Sequence, residues 1–93
     1  YENALVHELR GENLYAVQQS PIEIRYDGVV VGQYVADIIV ENKVLIELKA
    51  VSQFDDTHLA QCLNYLKATG LKLCLLINFG TKRVEIKRIV NNF

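Results

Sequence analysis

The sequence has little of what marks several common protein classes. It contains one proline and five glycines in 93 residues, whereas disordered chains are usually proline-rich and poor in apolar residues. Hydrophobic residues make up 51%, enough to form a folded core. Charged residues interrupt the longest apolar stretch before it reaches the ~20 residues of a membrane span. We therefore expect one soluble domain spanning residues 1–93, since ~100 to 200 residues per domain is usual.

Cysteine and the best-known catalytic motifs are equally scarce. Cys62 and Cys74 stand alone in apolar surroundings, without the C-x-x-C spacing of zinc or redox sites. We interpret them as reduced core residues of a cytoplasmic protein, because no secretion signal opens the sequence. The motifs G-x-x-x-x-G-K-[ST], G-x-G-x-x-G, H-E-x-x-H and G-x-S-x-G are all missing, which argues against the enzyme classes that use them.

An excess of charge of one sign is also missing from the chain as a whole. Ten Lys and Arg against eleven Asp and Glu give a net charge of -1, which argues against a protein that coats nucleic acid by charge alone. The last quarter is nevertheless basic. Its positive residues are either solvated edge-strand side chains that discourage aggregation or contacts to phosphate. The candidates for nucleic-acid contact are Lys82, Arg83, Lys87 and Arg88.

The first half of the chain predicts a helix followed by antiparallel strands. Apolar residues in 2–11 recur with a helical period that Gly11 ends. Extended stretches follow on either side of Ser20-Pro21, and Asp27-Gly28 is a strong hairpin signal. Residues 34–40 and 44–50 are β-branched and apolar on both faces, as is typical of central strands.

The second half predicts another helix and further strands. Asp55, Asp56 or Thr57 can cap a helix that Gly70 ends. An apolar strand and a basic strand follow in residues 72–90. The sequence therefore predicts an α/β fold with a mixed central sheet flanked by two helices.

Three ionisable residues interrupt the two segments that we predict as central strands. Asp37 lies in the first segment, and Glu47 and Lys49 lie in the second, among Val, Ile and Leu. Buried charge is costly unless it is paired. If residues 41–43 form the loop between the strands, the register sets Asp37 opposite Glu47, on the same face as Lys49. A two-residue loop would instead pair Asp37 with Leu48.

Two facing carboxylates indicate a metal site. They repel each other unless a cation or a proton lies between them, and Mg²⁺ prefers one or two carboxylates together with water and substrate phosphate. Lys49 would then stabilise developing charge or orient the attacking water. The alternative is a structural cluster in which Lys49 neutralises Asp37 and Glu47.

These residues resemble the signature of a known superfamily. Asp37, nine intervening residues and then Glu47-Leu48-Lys49 resemble the D…E-x-K motif of the PD-(D/E)XK nuclease superfamily. Gln61 and Tyr65 resemble the Q-x-x-x-Y motif of its RecB-like branch. The whole chain is similar to small bacterial proteins called the GxxExxR family, and residues 28–32, 37–50, 58–70 and 76–80 carry most of that similarity.

The resemblance implies a restriction-endonuclease-like αβββαβ core and a phosphodiesterase site that uses Mg²⁺ or Mn²⁺. Its implied metal ligands are Asp37, Glu47 and the backbone carbonyl of Leu48. It also implies that Lys49 lies near the nucleophilic water and that Gln61 positions the site from the second helix.

Two departures from the family pattern matter. The naming motif G-x-x-E-x-x-R belongs to the first helix, and this sequence begins just as that motif ends. Members of the superfamily often have an acidic residue there, for which Glu2 is the candidate accessory ligand. The proline of the superfamily's name is absent, because Tyr34-Val35-Ala36 precedes Asp37.

Two more residues of the second helix are candidate accessories. His58 lies three residues before Gln61 and shares its helical face, so it either approaches the site or caps the helix. Tyr65 fits core packing as well as a place in the site.

The leading functional hypothesis is a metal-dependent nuclease acting on DNA in repair or defence. The alternative is a catalytically inactive module on the same fold that binds nucleic acid or protein, because a fold alone does not establish an activity. A third possibility is a structural subunit, in which Glu47→Ala would only lower stability. A domain of this size has little surface for both a catalytic groove and base-specific contacts, which favours a homodimer.

Overall fold

The computed structural model describes residues 1–91 as a mixed five-stranded sheet with a helix on each face. The strands follow one another in the sheet in chain order, and only β3 and β4 are parallel. Helix α2 is the crossover that this parallel pair requires. The predicted α/β fold class is confirmed. In chain order the elements are α1 (Glu2–Gly11), β1 (Ala16–Tyr26), β2 (Val29–Val40), β3 (Val44–Lys49), α2 (Asp56–Thr69), β4 (Leu73–Asn78) and β5 (Glu85–Val90).

The hairpin of β1 and β2 is longer than the sequence predicted. Asp27 and Gly28 form its turn with φ of 50° and 77°, as the hairpin signal predicted. The break expected at Ser20-Pro21 is absent, and Pro21 pairs with Val35 within continuous β1. An edge strand tolerates proline because the missing N–H can face away from its only neighbour.

The register of β2 and β3 follows the predicted three-residue loop. Val40 pairs with Val44 and Ile38 pairs with Ile46, and residues 41–43 lie between the strands. Two of these loop residues have the positive φ that a tight turn needs. One more step in this register sets Asp37 against Glu47, so the predicted loop length is confirmed.

Two apolar clusters fill the two faces of the sheet. Helix α1 covers the cluster of Val6, Ala16, Ile38, Val40, Ile46 and Ile77. Helix α2 covers the cluster of Ile22, Ala36, Leu45, Cys62, Tyr65, Leu66, Cys74, Leu76 and Ile89. Both cysteines are free thiols and fully buried, as expected for core residues.

Helix α2 begins and ends where the sequence predicted. The Asp55 carboxylate accepts a hydrogen bond from the His58 backbone N–H at 3.1 Å, and the Asp55 N–H donates to His58 Nδ1 at 3.0 Å. Gly70 ends the helix in the left-handed conformation, with φ of 75°. Within residues 1–91, neither helix is long and apolar enough to cross a membrane.

Candidate active site

The predicted site residues meet at one edge of the sheet. Because β3 and β4 are parallel, their carboxyl ends lie together at that edge, with Lys49 in register with Asn78. A pocket of about 250 Å³ opens there. It is lined by Tyr1, Glu2, Asp37, Leu48, Lys49, Ala50 and Phe79. Four residues that the sequence singled out, Glu2, Asp37, Leu48 and Lys49, therefore share a pocket.

Asp37 lies where β2 and β3 separate. Their pairing stops at Ile38 and Ile46, while β2 stays paired with β1 and β3 stays paired with β4. Asp37 Oδ2 accepts a hydrogen bond from the Leu48 backbone N–H at 2.8 Å. This contact fixes the Asp37 carboxylate beside the strand that carries Glu47 and Lys49.

Glu47 is a buried carboxyl group with an unsatisfied oxygen. The residue is only 5% exposed, and no hydrogen-bond partner among residues 1–91 reaches its Oε1 atom. The pKa of Glu47 is raised to about 8, first by burial and then by the charge of Asp37 and a hydrogen bond shared with it, while the charge of Lys49 opposes the rise. A buried carboxyl oxygen without a partner, on a side chain that interacts with a second carboxylate, is an arrangement that a bound cation or a proton would satisfy.

The donor set fits a hard divalent cation. Within residues 1–91, no three His, Cys, Asp or Glu side chains are grouped so as to hold a metal. Two carboxylates and one backbone carbonyl are available instead, from Asp37, Glu47 and Leu48. Mg²⁺ commonly binds in this way, with water and substrate phosphate completing its coordination.

Lys49 is half-buried at the pocket and lies near the carboxylates. The ion pairs found among the described residues do not include it, since they join Arg25 to Glu23 and His58 to Asp55. This observation disfavours a closed structural ion-pair cluster. The Lys49 ammonium group is thus available to a ligand in the pocket.

Glu2 is held in the pocket by amide donors from β1. Gln18 Nε2 donates to Glu2 Oε2 at 2.8 Å, and Gln19 Nε2 donates to both carboxylate oxygens at 2.9 Å. Gln19 takes a left-handed backbone conformation, with φ of 51°. The accessory position proposed for Glu2 is therefore occupied by an oriented carboxylate.

The candidate residues of α2 take different places. Tyr65 is buried and packs edge-on against Tyr34, with ring centroids 4.8 Å apart. Burial, followed by the charge of Glu47, raises the pKa of Tyr65 to about 12. His58 serves in the cap of α2. Gln61 is half-buried, and its side chain makes no hydrogen bond within residues 1–91, so its positioning role stays a prediction.

Asn78 is a fully buried residue that the sequence patterns did not place in the site. Its Oδ1 accepts from the backbone N–H of Val51 at 3.0 Å and of Gly80 at 2.9 Å, and its Nδ2 donates to the Val51 carbonyl at 2.8 Å. The segment after Lys49 is thereby attached to the end of β4. The signal in the sequence that could have revealed this role is that Asn78, a polar residue, ends an apolar strand.

The four basic candidates are all exposed and lie in two groups. Lys82 and Arg83 are in the connection from β4 to β5, at the same edge of the sheet as the pocket. Lys87 and Arg88 lie further along, in edge strand β5. The first pair is therefore the better placed to contact a ligand that reaches Lys49.

Comparison with known proteins bears on the fold and the family of the chain. Among the solved structures that resemble the chain, the two described below are under 25% identical to it, so their likeness concerns the fold. The structure titled SSO0001 has a TM-score of 0.73 at 22% identity, covering 99% of this chain and 48% of that chain. An alkaline exonuclease (LHK-Exo) from Laribacter hongkongensis has a TM-score of 0.71 at 13% identity, with coverage of 97% and 54%.

The chain thus spans about half the length of these two structures. No curated protein matches its sequence. A family model described as the PD-(D/E)XK nuclease superfamily matches residues 1–89, nearly the whole sequence. The superfamily is the one that the spacing of Asp37, Glu47 and Lys49 indicated. The chain belongs to the PD-(D/E)XK nuclease superfamily.

Proposed function

We propose that this protein is a divalent-metal-dependent nuclease that hydrolyses phosphodiester bonds of DNA, in repair or defence. The observation that carries the proposal is the buried, unpartnered Glu47 Oε1 beside Asp37, at the strand end where Lys49 lines an open pocket. Burying a carboxyl oxygen without a partner costs free energy unless a cation or a proton satisfies it. Mg²⁺ or Mn²⁺ is the proposed cofactor.

The proposed role of each side chain follows from its position in the site. Asp37, Glu47 and the Leu48 carbonyl would hold the metal, which when bound would neutralise phosphate charge and make a water more acidic. Lys49 would stabilise the charge that develops on the phosphate or orient the attacking water. Glu2, held by the two β1 glutamines, is the proposed accessory acid, and Gln61 is proposed to position the site from α2.

Cleavage assays test this proposal. We expect supercoiled plasmid or labelled single strands to be cut with Mg²⁺ or Mn²⁺ and not with EDTA. Lys49→Ala should lower the cleavage rate by at least ~100-fold, as loss of a charge-stabilising group typically does. Lys43→Ala, in the exposed loop after β2, is the matched control and should cut like the wild type.

Equal cleavage by wild type and Lys49→Ala would contradict the proposed site. Thermal unfolding gives a second readout, since a bound cation stabilises the folded state by mass action. Mg²⁺ should raise the melting temperature of the wild type and leave that of Asp37→Asn unchanged.

The alternative is a catalytically inactive module that binds nucleic acid or protein on the same fold. The exposure of Lys82, Arg83, Lys87 and Arg88 favours a nucleic-acid ligand. Affinity for DNA should then fall steeply with salt, and neutralising these four residues should reduce that salt dependence. DNA binding without cleavage by any folded form would favour this alternative.

We propose further assignments that go beyond the superfamily. The Gln61 and Tyr65 spacing supports the RecB-like branch, and the similarity across residues 28–32 and 37–50 supports the GxxExxR family. Residues 1–93 are proposed to form one nuclease-like domain, located in the cytoplasm. A homodimer is also proposed.

A further inference from the structure

Gln19 has a backbone conformation that is unusual for a residue inside a strand. Its φ is 51°, in the left-handed region that favours glycine. Left-handed backbone costs free energy for a residue with a side chain, so it persists where the surrounding structure requires it. Within residues 1–91, the other non-glycine residues with positive φ lie in turns, at Asn13, Asp27, Glu41 and Asn42.

Both strands of the hairpin turn over close to Gln19. In β2, Ala36 belongs to the cluster that α2 covers, whereas Ile38 belongs to the cluster that α1 covers. Residues two apart in a regular strand lie on the same face, so β2 rotates between these two residues. Ala16 and Ile22 show the same change in β1, although an even number of positions separates them.

The rotation is centred on Gln19 and Asp37, which lie opposite each other. The residues on either side of them stay paired in an unshifted register, Gln18 with Ile38 and Ser20 with Ala36. One residue on each strand therefore lies between the two pairs, and neither strand has an inserted residue there. The left-handed Gln19 is thus the position at which β1 follows the rotation of β2.

The rotation determines where the Asp37 carboxylate lies. In a regular strand a side chain stands roughly perpendicular to the sheet. The Asp37 side chain instead reaches sideways to β3, where its Oδ2 accepts the hydrogen bond from the Leu48 N–H at 2.8 Å. A side-chain oxygen therefore acts as the acceptor at the point where the pairing of β2 and β3 ends.

We propose that Gln19 is a positioning residue for the metal site, because its left-handed backbone keeps the Asp37 carboxylate directed at β3. Gln19 acts through Asp37, so this inference rests on the proposed nuclease function, in which Asp37 is a metal ligand. The Gln19 side chain has a separate contact, since its amide donates to Glu2. The test must therefore distinguish the backbone of Gln19 from its amide.

Hydrogen exchange of the Leu48 amide, measured by NMR without metal, reports whether Asp37 accepts its hydrogen bond. Gln19→Gly and Gln19→Val both remove the amide of Gln19, but only glycine takes the left-handed conformation without strain. In Gln19→Gly the Leu48 amide should be at least as protected as in the wild type. In Gln19→Val it should exchange about 5-fold to 30-fold faster than in Gln19→Gly, which corresponds to the usual cost of left-handed backbone. Asp37→Ala gives the exchange rate without the carboxylate.

Asn13 is the matched control position, because it is another exposed left-handed residue, with φ of 62°, in the turn between α1 and β1. Asn13→Val should lower the free energy of unfolding as Gln19→Val does. It should leave the exchange of the Leu48 amide unchanged relative to that of the α2 amides. If Gln19→Val does not fold, Gln19→Ala takes its place and should again expose the Leu48 amide more than Gln19→Gly does.

Binding of Mn²⁺ alone, followed by the EPR signal of the free ion, relates this geometry to the metal site. Gln19→Val should bind Mn²⁺ about 5-fold to 30-fold more weakly than Gln19→Gly, for the same reason. Asn13→Val should bind it like the wild type. Equal Leu48 exchange and equal Mn²⁺ affinity in the two Gln19 variants would overturn the positioning role.

Failure of the proposed function gives a different result. A wild type that binds no Mn²⁺ and cuts no DNA overturns the nuclease, while exchange of the Leu48 amide still reports on Gln19. Mn²⁺ binding that is lost in Asp37→Ala, together with equal Leu48 exchange in the Gln19 variants, overturns only the positioning role.

Discussion

Glu47 is the residue whose protonation most affects the folded state. Its pKa is raised from 4.5 to about 8, chiefly by burial. A carboxyl group with a raised pKa favours folding at low pH, where both states are protonated. That contribution is lost as the pH rises from about 4.5 to about 8, because the unfolded chain releases the proton first. Above pH 8 the folded state holds an unfavourable buried charge.

We predict that Glu47→Gln stabilises the metal-free protein at alkaline pH. A Gln side chain has no charge to desolvate and its amide can donate to Asp37. One pKa unit corresponds to about 1.4 kcal/mol, so the gain in the free energy of unfolding at pH 9 should be on the order of 5 kcal/mol. Urea unfolding in EDTA between pH 4 and pH 9 measures it.

The control for Glu47→Gln is Glu8→Gln on the exposed face of α1. It should leave the pH dependence of stability as in the wild type. A Glu47→Gln protein with wild-type stability at pH 9 would show that the Glu47 carboxyl is solvated.

At the scale of elements, the Asn78 side chain joins the end of β4 to the segment between β3 and α2. We predict that Asn78→Ala lowers the free energy of unfolding by about 1 to 3 kcal/mol, since part-buried backbone groups of Val51 and Gly80 lose their hydrogen bonds to Asn78. Chemical denaturation measures the loss. In the same variant, cleavage should fall because Lys49 is no longer held by its neighbouring segment.

Asn64→Ala, on the exposed side of α2, is the control and should change stability by less than ~0.5 kcal/mol. Comparable stabilities of Asn78→Ala and Asn64→Ala would show that the Asn78 hydrogen bonds do not stabilise this junction. No Cβ is tolerated at Gly80 without a shift, because it would lie 2.5 Å from the Val51 backbone, which agrees with close packing at this junction.

The elements that sequence predicted well are those whose ends carry local signals. Asp55 and Gly70 fix the limits of α2 through capping and a left-handed turn. The length of the loop after Val40 sets the register that brings Asp37 to Glu47. In each case the information lies within a few residues of the feature it determines.

Features that depend on distant contacts were missed. The sequence predicted that the strand would be interrupted at Ser20-Pro21. Pro21 instead lies within edge strand β1, and a position at the edge of a sheet cannot be inferred from the neighbouring residues. The role of Asn78 depends on a contact with Val51, 27 positions away. The local sequence pattern contains no information about such a distant partner, so this role could not be predicted from it.

At the scale of the whole molecule, the β1–β2 hairpin extends beyond the rest of the sheet. Among the described residues, no strand pairs with residues 29–37 of β2 on the side facing β3. This stretch exposes Val31 and Val35, which are 62% and 52% exposed. It carries no charge from residue 29 to residue 36, so an antiparallel second copy would meet no like charge.

We therefore predict that a homodimer forms along this edge. Val31→Lys combined with Val35→Lys should shift the protein toward monomer in sedimentation equilibrium, because facing lysines repel across a two-fold axis. Val84→Lys, at a valine that is 53% exposed outside the hairpin, should not change the association. A wild type that is monomeric at high micromolar concentration would exclude this dimer.

The hydrogen bonds between Asn78 and Val51 also affect the order in which the parts of the chain fold. Asp37 and Glu47 come together within one hairpin, whereas the contact between Val51 and Asn78 spans 27 residues and requires α2 and β4 to be in place. Closing the longer segment costs more chain entropy, so it follows the hairpin in time. During synthesis on the ribosome, Asp37 and Glu47 would therefore come together before the segment that follows Lys49 is fixed. The proposed nuclease activity would then require β4 to have formed.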